Sequence, residues 1–369
     1  MSKLRQVDRV VSVAVQARLA TLIWGLPGTG KTSALCHLAS SLGWEVEVVV
    51  GSIREATDVG GLPVRQGDGV VLAAPSWALR LHEAHRAGRP SLLVLDELTT
   101  APAPVQAAML RVVCERVVGD TPLPVSTSIV AAANPPEVVA DGWDLAAPLA
   151  NRFCHVDWPL DAQAWASGMT AGWESSSPLV RLGENWEASI ATWRVKVAGF
   201  ILARPELLHR IPSDPAGRGK AWPSPRSWEM AIRAAAAGWS ADPSGDVALA
   251  LTAGCVGDGP AAELFSWVAK ADLPDPECLL ADPTRLDLPM RGDRLHACLL
   301  GALGALGATP TEQRWAAAWE LLARVASHGQ VDVAAVAARR LLEVRSAQWP
   351  LPETIDMFTG VLRQTGDLR

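Results

Sequence analysis

One octapeptide constrains this chain more than any other feature. Residues 25–32 run Gly-Leu-Pro-Gly-Thr-Gly-Lys-Thr, the pattern G-x-x-x-x-G-K-[ST]. A short apolar run, ATLIW at 20–24, leads into it. A helical pattern comes next, with Leu35, Leu38, Ala39 and Leu42 on one face and a stop at Gly43. A strand, a glycine-rich loop and a helix in this order curl the backbone so that successive N–H groups converge on phosphate oxygens. The helix N-terminus adds a favourable dipole for an anion. The expected phosphate-cradling residues are Gly25, Pro27, Gly28, Thr29, Gly30, Lys31, Thr32 and Ser33. Lys31 is expected against the β- and γ-phosphates, and Thr32 as a Mg²⁺ ligand through its hydroxyl.

Acids stand where such a loop needs them. Residues 91–95 (SLLVL) form a continuous apolar run, the signature of a strand buried on both faces, and Asp96-Glu97 come directly after it. Asp96 is the candidate second Mg²⁺ ligand, and Glu97 the candidate general base for an attacking water. Two adjacent acids at a strand mouth are costly unless a cation or a reaction uses them. Further strands are expected at 44–50, 125–133 and 154–158, separated by helical stretches. That alternation implies parallel βαβ units and a five-stranded sheet flanked by helices. Asn134 ends the fourth strand, before Pro135-Pro136, where a neutral amide can orient the water. Arg152 comes just before the last strand, placed to project onto a neighbouring subunit's γ-phosphate. Arg226 comes after Ser224-Pro225, an N-cap and first helical residue. A cation in a helix's first turn opposes the dipole, which suggests a purpose other than helix stability.

Composition narrows the alternatives. The chain has 369 residues, enough for two to three domains, and 49% hydrophobic content excludes global disorder. A net charge of −6 argues against coating nucleic acid through bulk charge. Six cysteines at 36, 114, 154, 255, 278 and 298 form no C-x-x-C pair and suit buried reduced thiols in the cytoplasm. The N-terminal apolar residues are interrupted by Asp8, Arg9 and Arg18, so neither a secretory core nor a membrane span is expected. The seven histidines are dispersed and suit ordinary core or surface roles. Without an N-K-x-D motif, ATP is favoured over GTP.

Beyond residue 159 the character of the chain changes. Residues 159–185 are rich in Pro, Ser, Gly and Trp and suggest a boundary. The remainder of the chain looks all-helical, with a Pro/Gly-rich loop at 211–225. Thr309-Pro310-Thr311-Glu312 has capping-box form, with Thr309 expected at the N-cap, and Asp332 is expected to cap the next helix. The expected division is an α/β nucleotide-binding domain at 1–160, a helical lid at 161–258 and a C-terminal helical extension at 259–369.

These motifs, in this order, resemble the AAA+ ATPases, and within them the MoxR-type branch. The resemblance covers roughly residues 15–240. It rests on GLPGTGKT, REATDVGGLP (54–63), LLVLDELTTAPAPVQAAMLRVVCERVV (92–118), AAANPPE (131–137), LANRF (149–153) and SPRSW (224–228). It implies Walker A at 25–32, Walker B at Asp96-Glu97, sensor 1 at Asn134, an arginine finger at Arg152 from the next subunit and sensor 2 at Arg226, closing on the γ-phosphate from the helical lid. One departure is Asn151, where the family usually has Asp. Residues 64–75, with a Gly-Asp-Gly turn, would fit the family's substrate-contacting hairpin. The resemblance further implies ATP and Mg²⁺, a homo-oligomeric ring that is usually a hexamer, and a protein substrate or a partner with a von Willebrand factor A domain. The expected function is an ATP-hydrolysing remodelling chaperone. A nucleic-acid-stimulated motor or loader, and an ATP-held assembly switch without turnover, are the alternatives.

Overall fold

The computed structural model describes residues 3–135, 138, 145, 147–171, 180–183, 185–271, 273–346 and 348–359. The strands are β1 (Thr21–Trp24), β2 (Glu45–Val50), β3 (Leu62–Gln66), β4 (Gly69–Ala73), β5 (Ser91–Asp96), β6 (Val117–Val118), β7 (Thr121–Pro122), β8 (Thr127–Ala133) and β9 (Cys154–Asp157). Among them run helices α1 (Lys3–Gln16), α2 (Lys31–Leu42), α3 (Ala56–Gly60), α4 (Ser76–Arg86), α5 (Ala103–Glu115) and α6 (Ala147–Ala150). The later helices are α7 (Ala162–Ala171), α8 (Ser189–Ala203), α9 (Pro215–Arg218), α10 (Pro225–Ala241), α11 (Asp246–Val256), α12 (Asp258–Ala271), α13 (Pro276–Ala281), α14 (Gly292–Ala308), α15 (Glu312–Ser327) and α16 (Val331–Val344). None of the described helices is long and apolar enough to cross a membrane.

The chain divides into two compact units: Met1–Glu187 with His209–Ala261, and Ala188–Leu208 with Ala262–Arg369. Helix α8 thus belongs to the second unit, although it comes before α10 in the chain.

The first unit is built on a five-stranded sheet in the order β2-β5-β8-β1-β9, with every pairing parallel. This is the α/β sheet expected from the alternation of apolar runs and helices. Its central strands carry continuous apolar runs, 92–95 in β5 and 129–133 in β8, because both faces are covered: β8 is buried along its whole length. Leu93, Leu95, Ile129 and Ala131 pack with Met109 and Val112 of α5 and with Trp77 and Leu81 of α4. Parallel pairing also gathers the C-terminal ends of β1, β5 and β8 at one edge, where Gly25, Asp96 and Asn134 emerge. The hairpin expected at 64–75 is present as β3 and β4, turning at Gly67-Asp68 with Gly67 at φ +59°.

The second unit has its own core, in which Trp315 and Trp319 of α15 pack with Leu295 and Leu299 of α14, Leu341 of α16 and Phe358. Two cap expectations shift here. Thr311 is the N-cap of α15 and accepts the Arg314 N–H, while Thr309 ends α14. Asp332 lies inside the first turn of α16, whose N-cap is Gln330. In each case several polar residues adjoin the helix start, and packing selects among them. Helix α7 occupies much of the expected boundary, and residues 172–179 and 184 of it lie outside the described residues. So do Pro136 and Glu137 after Asn134, and residues 360–369.

Candidate functional site

The loop from Gly25 to Gly30 leaves β1 and turns into α2. Gly28 and Gly30 have φ of +73° and +84°, a left-handed conformation that disfavours any side chain. Gly30 is the N-cap of α2 and brings no side-chain cap, so the first-turn N–H groups remain for a ligand. Gly25 donates its N–H to Ala133 O at 3.2 Å, which ties the loop to the end of β8. Trp158, just after β9, braces the loop by donating its Nε1–H to Thr29 O at 3.3 Å.

Lys31 is held inside this loop, only 7% exposed. Its Nζ donates to Gly25 O at 2.7 Å, Leu26 O at 2.9 Å and Asn134 Oδ1 at 3.1 Å. Burial lowers its pKa, while the negative charges of Asp96 and Glu97 act against that shift. Because Lys31 can only donate, the Asn134 amide turns its oxygen to Lys31 and keeps its Nδ2–H groups for another acceptor.

Asp96 ends β5, and its Oδ2 accepts the Thr32 hydroxyl at 2.5 Å. Its Oδ1 accepts the Glu97 N–H at 2.9 Å. Glu97 sits at φ +57°, an uncommon state for a residue with a side chain. Its turn is pinned by Leu98 N–H to Ala132 O at 3.0 Å and by Ala101 N–H to its own carbonyl at 3.1 Å. Strain of this kind survives only where the surroundings over-determine it, and it concentrates at working sites. Glu97 Oε2 also accepts the Ser52 hydroxyl.

Together these residues line one open cleft of about 340 Å³, walled by Pro27 to Ser33, Asp96, Glu97 and Ala132 to Asn134. That volume lies at the small end of the range for small-molecule sites, roughly 300–1,000 Å³. The donor set suits a magnesium-bound polyphosphate: uncapped amides and an ammonium for the anion, and a hydroxyl and a carboxylate oxygen in contact for a hard cation. Among the described residues, no group of three or more His, Cys, Asp or Glu side chains gathers as a metal site.

Arg152 and Arg226 are not in this cleft. The register explains it: Thr21 pairs with Cys154 and Trp24 with Asp157, so Arg152 lies beyond the N-terminal end of β9, at the sheet edge opposite Gly25. The Arg152 Nη1 donates to Pro148 O at 2.6 Å. Arg226 stands exposed in the first turn of α10, with the expected Ser224 cap and Pro225 behind it. Both guanidiniums act on the same group, the Cys114 thiol near the end of α5. Burial raises that thiol's pKa, and the two positive charges oppose the rise. The two arginines therefore share one side of the unit. Arg116 donates to Pro124 O at 3.1 Å and Thr127 O at 2.6 Å, while Glu115 pairs with Arg111 at 2.8 Å.

Three contributors lie outside the expected site residues. Ser52 comes after β2, and only the parallel register of β2 on β5 brings it to Glu97. His155 accepts Trp24 Nε1–H on Nδ1 at 2.9 Å and bonds Ala150 O through Nε2 at 2.8 Å, linking the entry of the glycine loop to the turn before Arg152. Asn151 has a buried amide with partners far along the chain.

No family model matches the chain, and no curated protein matches it. Among solved structures the chain is similar to a "putative ATPase" from Cytophaga hutchinsonii, at 16% identity and a TM-score of 0.42, over 77% of this chain and 93% of that one. It is similar also to a full-length MCM homologue from Methanopyrus kandleri, at 17% identity and a TM-score of 0.39, over 72% of this chain and 56% of that one.

Proposed function

We propose that this chain hydrolyses ATP in a closed homo-oligomer and uses the cycle to remodel or activate a partner protein. The observation that carries the hydrolytic part is the convergence of Lys31, Thr32, Asp96, Glu97 and Asn134 on a single cleft. The amides of residues 28–33 and the Lys31 ammonium bind and orient the phosphates. Thr32 and Asp96 would hold Mg²⁺, which supplies charge neutralisation across the phosphate oxygens when bound. Glu97 accepts the proton of the attacking water, and the free amide hydrogens of Asn134 orient that water.

The arginines complete the site from another molecule. A chain whose cleft and guanidiniums lie at opposite sheet edges cannot bring them together on one phosphate by itself. A head-to-tail contact does so, and a rotation that closes gives a ring. Arg226 therefore serves a neighbour, as Arg152 does, and does not close over its own cleft.

Replacing Glu97 by Gln should leave ATP binding intact and slow phosphate release by about 10²-fold or more. Replacing Lys31 by Ala should abolish binding, measured with a fluorescent ATP analogue. Hydrolysis by Glu97→Gln at the parent rate would overturn the assignment of the base.

A further inference from the structure

Asn151 touches the turns that carry both arginines. It immediately precedes Arg152 and is only 3% exposed. Its Oδ1 accepts the Ser224 hydroxyl, and its Nδ2 donates to Trp222 O at 2.8 Å. Ser224 is the N-cap of α10 and accepts the Ser227 N–H at 3.1 Å. Ser227 Oγ returns the contact, accepting the Ser224 N–H at 2.8 Å and donating to Trp222 O at 2.9 Å. Arg226 stands inside that capped turn, between two serines that are themselves buried. Neither guanidinium is neutralised by the chain: among the described residues Arg226 has no hydrogen bond or ion pair, and Arg152 bonds only a carbonyl.

We infer that Asn151 is a positioning residue that yokes Arg152 to Arg226, so that the pair meets a neighbouring chain's γ-phosphate as one unit. This rests on the ATP-hydrolysis reading above. The chemistry asks for an amide. One acceptor faces a hydroxyl and one donor faces a carbonyl, and Asn supplies both on the shortest stem. A carboxylate could take the Ser224 hydroxyl, but it would set lone pairs against Trp222 O and bury a charge. That gives a physical reason for Asn at the position where the resembling family usually has Asp.

The full-length protein is tested as Asn151→Ala and as the near-isosteric Asn151→Asp, which keeps the shape should the first variant fold poorly. Both should bind the fluorescent ATP analogue within about twofold of the parent, since their own cleft lies at the other sheet edge, while kcat falls about tenfold or more. In an Arg152→Ala/Arg226→Ala background, Asn151→Asp should cost nothing further, because a residue that acts through the arginines has nothing left to position. Mixing Asn151→Ala with Lys31→Ala should restore turnover, since one chain brings the intact cleft and the other the intact arginine pair. A kcat within about twofold of the parent for Asn151→Asp, a further loss in the arginine-less background, or no recovery on mixing would each overturn the yoke. A parent protein that does not hydrolyse ATP at any concentration would overturn the hydrolysis reading itself, and is seen before any variant is made.

Discussion

At the scale of single residues, His155 shows how tightly an ordinary side chain can be tied to one protonation state. Its neutral ring accepts from Trp24 on one nitrogen and donates to Ala150 on the other, so a second proton would face the indole N–H with nothing to bond. Burial accordingly pushes its pKa down to about 4. Between about 6.5 and about 4 the unfolded chain binds a proton that the folded chain refuses, so stability falls as pH drops through that window, by up to about 3 kcal/mol. Urea unfolding at a series of pH values should show this slope, and His155→Gln, which keeps a donor and an acceptor but cannot titrate, should flatten it. Nothing in the sequence distinguished this histidine from the other six. The legible residues are Lys31 and Thr32, at the start of the helix after the glycine loop, and Asp96, Glu97 and Asn134, at or just beyond strand ends that the apolar pattern marks. His155, Ser52 and Asn151 depend on partners in other elements, and a pattern along one strand does not specify those.

At the scale of elements, the sheet owes its legibility to burial. Strands covered on both faces are largely apolar, as β5 is along 92–95 and β8 along 129–133, while the buried Ser91, Thr127 and Ser128 at their starts are hydrogen-bonded. Less visible are the places where two elements need a missing side chain. Gly254 in α11 lies so close to β9 that an added Cβ would come 2.4 Å from His155 O and 2.8 Å from Cys154 Sγ. Gly238 in α10 meets the Ala248 backbone of α11 just as closely, at 2.4 Å. Neither glycine has a positive φ, so the demand is one of space and not of backbone conformation. Gly254→Ala should destabilise the first unit by about 1–3 kcal/mol, read as a lower urea midpoint at unchanged slope. In sequence, both residues look like weak points in helical runs. The cap of α15 illustrates the reverse limit: Thr309, Thr311 and their neighbours all have capping chemistry, and only packing decides that Thr311 serves.

At the scale of the whole molecule, two cores hold two units, and each can be followed separately. In the second, Trp315 and Trp319 lie edge to face at a centroid separation of 5.7 Å. The segment order along the chain does not mirror this division, because α8 is built into the second unit while α10 and α11 return to the first. Composition marked a change of character after residue 159 but had no means of showing that return. For the proposed activity, the whole-molecule expectation is kinetic. If each working site is shared, phosphate release per chain should rise with protein concentration and collapse on dilution. A rate per chain that stays constant across a hundredfold dilution would contradict sharing.

The opposed placement of cleft and guanidiniums has an arithmetic consequence. On the proposed shared-site reading, every copy carries a socket on one rim of its sheet and a plug on the other. A row of copies joined plug to socket therefore always ends in one idle socket and one idle plug. Only when the last copy meets the first do working sites equal copies. The proportional loss is greatest for the shortest rows, where a pair has half its sites and a single copy none.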